Sequence, residues 1–155
     1  MIEVIQLAQP SAERRHIRTD AVYTVFTTID DTLAAMRVAV PLAKAMDAPL
    51  TLIHFRAVPY PLSVDAPAGL SPVETDAFAQ RLCAEGLDVR VRVLLCRQER
   101  RAIPLAFGKH SLIVIAGRRG WWPSASERWR RWLESAGHFV VFVDPEDDNR
   151  ETPDA

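Results

Sequence analysis

Residues Leu112 to Ala116 read Leu-Ile-Val-Ile-Ala, apolar at every position. A strand with one wet face alternates polar and apolar residues. An unbroken apolar run this short belongs to a strand covered on both faces, as helices cover a parallel sheet. A chain carrying such a strand must therefore supply helices for both sides and other strands to flank it.

The rest of the sequence supplies both. Ala21-Val22-Tyr23-Thr24-Val25-Phe26 is β-branched and aromatic, which favours a strand, the first of the main sheet. Asp30 or Asp31 is placed to cap a following helix, in which Leu33, Met36, Val40 and Ala43 recur at helical spacing as far as about Asp47. Pro41 lies inside that helix, where a missing N–H predicts a kink. Leu50 to Phe55 reads as a second strand and is followed by a proline-rich loop. Ser71-Pro72-Val73-Glu74 opens a helix ending at Gly86, with Phe78 and Leu82 on its inner face. From Val89 to Leu95 the odd positions are apolar and Arg90 and Arg92 fall opposite, the pattern of an edge strand. Gln98 to Phe107 predicts a short helix stopped by Gly108. Ser124-Ala125-Ser126-Glu127 is a capping box for a helix that carries Trp129, Trp132 and Leu133 to Gly137, and His138 to Val143 supplies the last strand.

Alternation of this kind predicts an α/β fold, a three-layer α/β/α sandwich around a five-stranded, mainly parallel sheet. The 155 residues, 48% hydrophobic, suffice for one core. Residues 20–144 form the expected domain. Residues 1–19 are an N-terminal extension in which Ile2, Val4, Ile5 and Leu7 either add an edge strand or fray. Residues 145–155 form an acidic tail, expected to be disordered.

Composition excludes several classes. A formal net charge of −1 argues against a dedicated nucleic-acid binder. No apolar run approaches a membrane span, and the N-terminus does not read as an export signal, so a cytoplasmic location is expected. Cys83 and Cys96 lack metal or disulfide spacing and are expected to be buried thiols. His16, His54, His110 and His138 show no metal-type pairing, which predicts core or capping roles and no metal site. Dinucleotide, P-loop and hydrolase signatures are absent.

The strand at Ala21, the segment Leu52-Ile53-His54-Phe55 and the stretch Ile113-Val114-Ile115-Ala116-Gly117-Arg118-Arg119-Gly120 together resemble the universal stress protein family over residues 21–144. The resemblance implies a parallel sheet with its five strands in the order 3-2-1-4-5, a homodimer through the last strand at 138–143, and, in one subfamily, binding of ATP. That subfamily carries Gly-x2-Gly-x9-Gly-Ser/Thr after the fourth strand, where glycines let backbone amides approach phosphate. Gly117 and Gly120 match the first half. The second half falls on Arg130 and Arg131, and the connection to the last strand is shorter than in the family. The family's aspartate at the end of the first strand aligns with Thr27, or with Asp30 if the loop is shorter. Thr27, Asp30, Ile53 and His54 are thus the positions on the adenine and ribose side.

The densest chemistry lies in Arg118-Arg119-Gly120-Trp121-Trp122-Pro123 and the following Arg128, Trp129, Arg130, Arg131 and Trp132. Five arginines face one acid, Glu127. Arginine beside indole suits phosphate, planar anions or stacked bases, so Gly117, Arg118, Arg119, Gly120, Trp121, Trp122, Arg130 and Arg131 form the candidate anion site. The competing reading buries Trp129, Trp132 and Leu133 as an amphipathic stripe and leaves the arginines hydrated. The expected function is a non-catalytic, stress-type regulatory module with no catalytic residue, no obligatory cofactor (ATP or AMP being the only candidates) and an unidentified protein partner. The alternatives are a nucleotide-handling enzyme using Asp30 or Asp31 with Arg118 or Arg119, and an anion or nucleic-acid binder using residues 118–132.

Overall fold

The computed structural model describes residues 2–6, 21–60, 77–78, 80–81, 86 and 89–146. Six strands, β1 (Ile2–Gln6), β2 (Val22–Val25), β3 (Leu50–Ala57), β4 (Arg90–Cys96), β5 (Leu112–Ala116) and β6 (Phe139–Val143), make one sheet in the order β1-β4-β3-β2-β5-β6. Every pairing is parallel. Leaving out β1, the remaining five strands stand in the expected order 3-2-1-4-5.

The sixth strand corrects one expectation. β4 is interior, not an edge, because β1 pairs along it from Ile2 opposite Val91 to Gln6 opposite Leu95. The arginines at 90 and 92 had the look of a solvated face. Arg90 is indeed exposed, but Arg92 is half-buried, and Leu94 and Cys96 continue the same face into the core. The alternation reports where the helices stop covering that face, which is a separate question from which strand is the neighbour.

Helices α1 (Ile29–Ala45), α2 (Glu99–Ala106) and α3 (Ala125–Ser135) complete the layers. In β2 the side chains alternate. Val22 packs with Leu33, Met36 and Ala39 of α1, whereas Tyr23 and Val25 pack with Ala102 and Ile103 of α2 and Trp129 and Leu133 of α3. Ile113 and Ile115 of β5 join the second cluster and Val114 and Ala116 the first, so this continuously apolar strand is covered on both faces. Phe55 stacks on Trp129 with centroids 4.7 Å apart, and Tyr23 meets Phe107 edge-on at 5.2 Å. Such aromatic pairs contribute about 1 kcal/mol each beyond their buried area.

Caps follow the local sequence with one change. Thr28, not Asp30 or Asp31, caps α1, its hydroxyl accepting from the Asp31 N–H at 3.2 Å. The two aspartates instead sit in the first turn, where they complement the helix dipole. α1 continues through Pro41 to Ala45. Ser124 caps α3, accepting from the Glu127 N–H at 3.1 Å. At the other end Gly137 takes φ +88°, and the His138 N–H reaches back to the Leu133 carbonyl at 3.1 Å, turning the chain into β6.

Two histidines pin the start of β6 to that of β5. The Ser111 N–H donates to His138 Nδ1 at 3.2 Å, and His110 Nδ1 donates to the Gly137 carbonyl at 3.0 Å. Both bond to the backbone, which is the capping role expected of them. Cys96 is buried and in no disulfide among the described residues, its Sγ–H donating to the Arg56 carbonyl at 3.8 Å and its thiol pushed up to about 11 by burial and then by Glu99. Phe78, in a helical segment, is buried under β2 and β3. The expectations for Ser71, Leu82, Cys83, His16 and the tail beyond Glu146 fall outside the described residues.

Candidate functional site

The carboxyl ends of β2, β3 and β5 converge on one edge of the sheet, where open α/β folds bind ligands. Thr24 stands opposite Val114, the last pair of that register, and Thr27 and Gly117 each follow three residues further along the chain. The Thr27 N–H donates to Thr32 Oγ1 at 3.2 Å, while its own hydroxyl is buried with no partner among the described residues. Asp30 is exposed on the first turn of α1.

His54 and Ile53, nominated together, point to opposite faces because they are adjacent on a strand. Ile53 is wholly buried beneath α2 and α3. His54 lies on the α1 side, its ring 4.4 Å from Phe26, which in turn meets Phe78 at 5.2 Å. It lies inside β3, and not at a strand end. Burial, followed by the nearby Arg56, lowers its pKa from 6.5 to about 4, so the ring is neutral at physiological pH.

Gly117 ends β5 and its N–H donates to the Val143 carbonyl at 3.0 Å. A Cβ there would overlap the Cβ of Ser126, stand 2.6 Å from its hydroxyl oxygen, and touch the Phe142 ring at 3.4 Å. Ser126 is itself buried in the first turn of α3. Gly117 is therefore required by a close helix-to-strand approach, which the motif spacing did not indicate. Gly120 has no such neighbour; the nearest atom to a Cβ there is the Trp122 carbonyl at 3.8 Å.

The arginines divide into two groups. Arg130 is hydrogen-bonded to Glu127 through Nε at 3.2 Å and through Nη2, and Arg131 Nε lies 3.6 Å from the same carboxylate. Arg130 also reaches Glu134 at 3.7 Å. The bond from Arg130, more than any other influence, holds the Glu127 carboxyl below the usual carboxylate range. The guanidiniums of Arg119 and Arg130 lie 5.8 and 5.6 Å from the Phe142 ring centroid. Arg118 is 3.7 Å from Glu146, with both side chains largely in water. Trp121 and Trp122 are 96% and 81% exposed.

Arg130 and Arg131 are thus gathered on Glu127, away from the phosphate position their spacing suggested, while Trp129, Trp132 and Leu133 form the packed stripe of α3. Ser126, Glu127, Phe142 and Glu146 were not singled out as site residues. Only Glu127, as the lone acid among five arginines, carried a signal. No group of three or more metal-ligating side chains occurs among the described residues. The groove of 630 Å3 between α1 and the starts of β3 and β4, walled by Val40, Ala43 and Leu50 with Lys44 and Arg90, lies at the opposite end of the sheet.

A six-stranded parallel sheet with helices on both faces defines an open α/β fold. In fold it is similar to a universal stress protein of known structure. The universal stress protein from Archaeoglobus fulgidus superposes with a TM-score of 0.50 at 15% identity, covering 79% of this chain and 92% of that one. A universal stress family protein from Burkholderia pseudomallei gives 0.45 at 17% identity, over 81% and 96%. No protein-family model and no curated protein matches the sequence.

Two predictions follow from this geometry. Gly117→Ala is expected to lower stability by about 1–3 kcal/mol through overpacking, and Ser126→Gly in the same chain to recover part of that loss, which a urea-unfolding cycle measures. Because the folded pKa of His54 lies below its ordinary value, the unfolded chain takes up the proton first. Stability is then complete above pH 6.5 and falls as the pH drops towards about 4, by about 3 kcal/mol. His54→Leu should flatten that part of the profile, read as unfolding free energy against pH.

Proposed function

We propose that this chain is a non-catalytic regulatory module of universal stress protein type that works in the cytoplasm through protein contacts and does not hold ATP in the manner of the family's ATP-binding members. The observation that carries this reading is the seating of the first turn of α3 on the end of β5, with Ser126 against Gly117. A phosphate loop needs free amides facing open space at a helix N-terminus. Here Ser124 takes the Glu127 N–H, and the Glu127 carboxylate adds negative charge to the same turn. Arg130 and Arg131 are engaged by that carboxylate. The nucleotide side is also altered, since Thr27 offers a hydroxyl where the family has an acid.

The partner surface we favour is β6, one of the two edge strands of the sheet among the described residues. Phe139 and Val141 are exposed on the face that α1 leaves open, and a second copy adding its own β6 would cover them.

Two experiments test these points. Calorimetric titration with ATP and with AMP, each with and without Mg2+, is expected to show no binding at millimolar nucleotide; micromolar binding overturns the reading and makes Gly117 and Gly120 sufficient for a site. Light scattering is expected to give a dimer mass for the wild type and a monomer mass for Val141→Arg, with the far-ultraviolet spectrum unchanged.

A further inference from the structure

Residues 118–123, Arg-Arg-Gly-Trp-Trp-Pro, are exposed without a break, and the two indoles among them project almost wholly into water. This is a convex tip at the carboxyl edge of the sheet. Trp129 and Trp132 of the following helix pack inward on the core, so the tip is not an overflow of that packing. Adjacent large apolar groups held in water mark a contact surface.

The charge around the tip says what it contacts. Arg118 and Arg119 immediately precede Gly120 and the indoles and are exposed, and Arg128, in the first turn of α3, is exposed as well, its guanidinium 5.5 Å from the Trp132 ring. Arg118 keeps one counter-charge, Glu146 at 3.7 Å, but both side chains are largely solvated, and such a pair contributes little. The tip therefore presents two indoles next to two exposed cations of the same loop. A folded protein or a base stack reads an indole by enclosing it or by lying flat on it, which calls for a pocket or a platform. A convex tip suits an acceptor that deforms around it.

We propose that the loop Arg118–Pro123 docks this protein on the surface of an anionic lipid bilayer, with Trp121 and Trp122 entering the interfacial layer and Arg118, Arg119 and Arg128 pairing with headgroup phosphates. Indole favours that layer because its ring is apolar and its N–H still finds an acceptor. Neither component suffices alone; reversible attachment requires apolar insertion and electrostatic attraction together. No helix among the described residues is long and apolar enough to cross a membrane, so the attachment is peripheral. The inference rests on the loop and Arg128 and is independent of whether nucleotide binds.

The test is co-sedimentation of the full chain with vesicles of phosphatidylcholine alone and of phosphatidylcholine mixed with phosphatidylglycerol. Binding is expected to the mixed vesicles only, weakening with added salt. Trp121→Ala with Trp122→Ala should reduce it by about tenfold or more, and Arg118→Gln or Arg119→Gln by about fivefold each. All four side chains are exposed, so thermal unfolding should be unchanged and serves as the folding control. Brominated lipid should quench the wild-type emission and leave that of the double tryptophan variant unaffected. Absence of binding to the mixed vesicles, or binding that survives loss of both indoles, overturns the proposal. Retention by a single-stranded oligonucleotide without retention by vesicles overturns it in favour of a base-stacking surface.

Discussion

The contact on which the upper edge of this molecule depends is that between Gly117 and Ser126. It places the beginning of α3 directly on the end of β5, closer than any side chain at position 117 would permit. Once that seat is taken, the connection between them has only the length from Arg118 to Ser124 in which to turn, and it turns outward. The same contact brings Trp129 and Leu133 down onto Phe55 and the core, and carries Gly137 to the point where β6 must start. The second pair of anchors, the reciprocal bonds of His110 and His138, fixes the other end of β5 and β6.

Electrostatics at this edge are organised by one carboxylate. Glu127 draws Arg130 and Arg131 along the flank of α3, and Phe142 receives the guanidiniums of Arg119 and Arg130 near its ring. A segment with five arginines is thereby sorted into a self-satisfied part on the helix and a solvated part around the loop. The free energy of each exposed pair is small, yet together they decide which cations face outward.

The sheet was legible because its signals are local. The continuously apolar Leu112–Ala116 could only be a strand covered on both faces, and the caps at Ser124 and Gly137 lie within a turn of the amide and carbonyls they satisfy. β4 as an edge was misread for a related reason. Arg90 and Arg92 describe the face of the strand, whereas its neighbours are set by the pairing of a segment some ninety positions away, β1, about which side-chain alternation is silent. Thr28 displaced the aspartates as the cap because the chain was already extended at that residue, leaving Asp30 and Asp31 inside the helix.

The candidate site divides along the same line. Residue types alone determined that the chain carries a glycine pair after its continuously apolar strand, an acid-poor cluster of arginines, and two indoles that a loop cannot readily bury. Only the tertiary structure decided what those residues face. It turned Ile53 into the core and His54 to the other side, gave Gly117 to a helix, gathered Arg130 and Arg131 on Glu127, and left Trp121 and Trp122 in water. The reason is physical: a backbone conformation or a cap is settled by interactions within a few residues, whereas close approach, burial and charge pairing depend on segments whose separation the chain order does not specify.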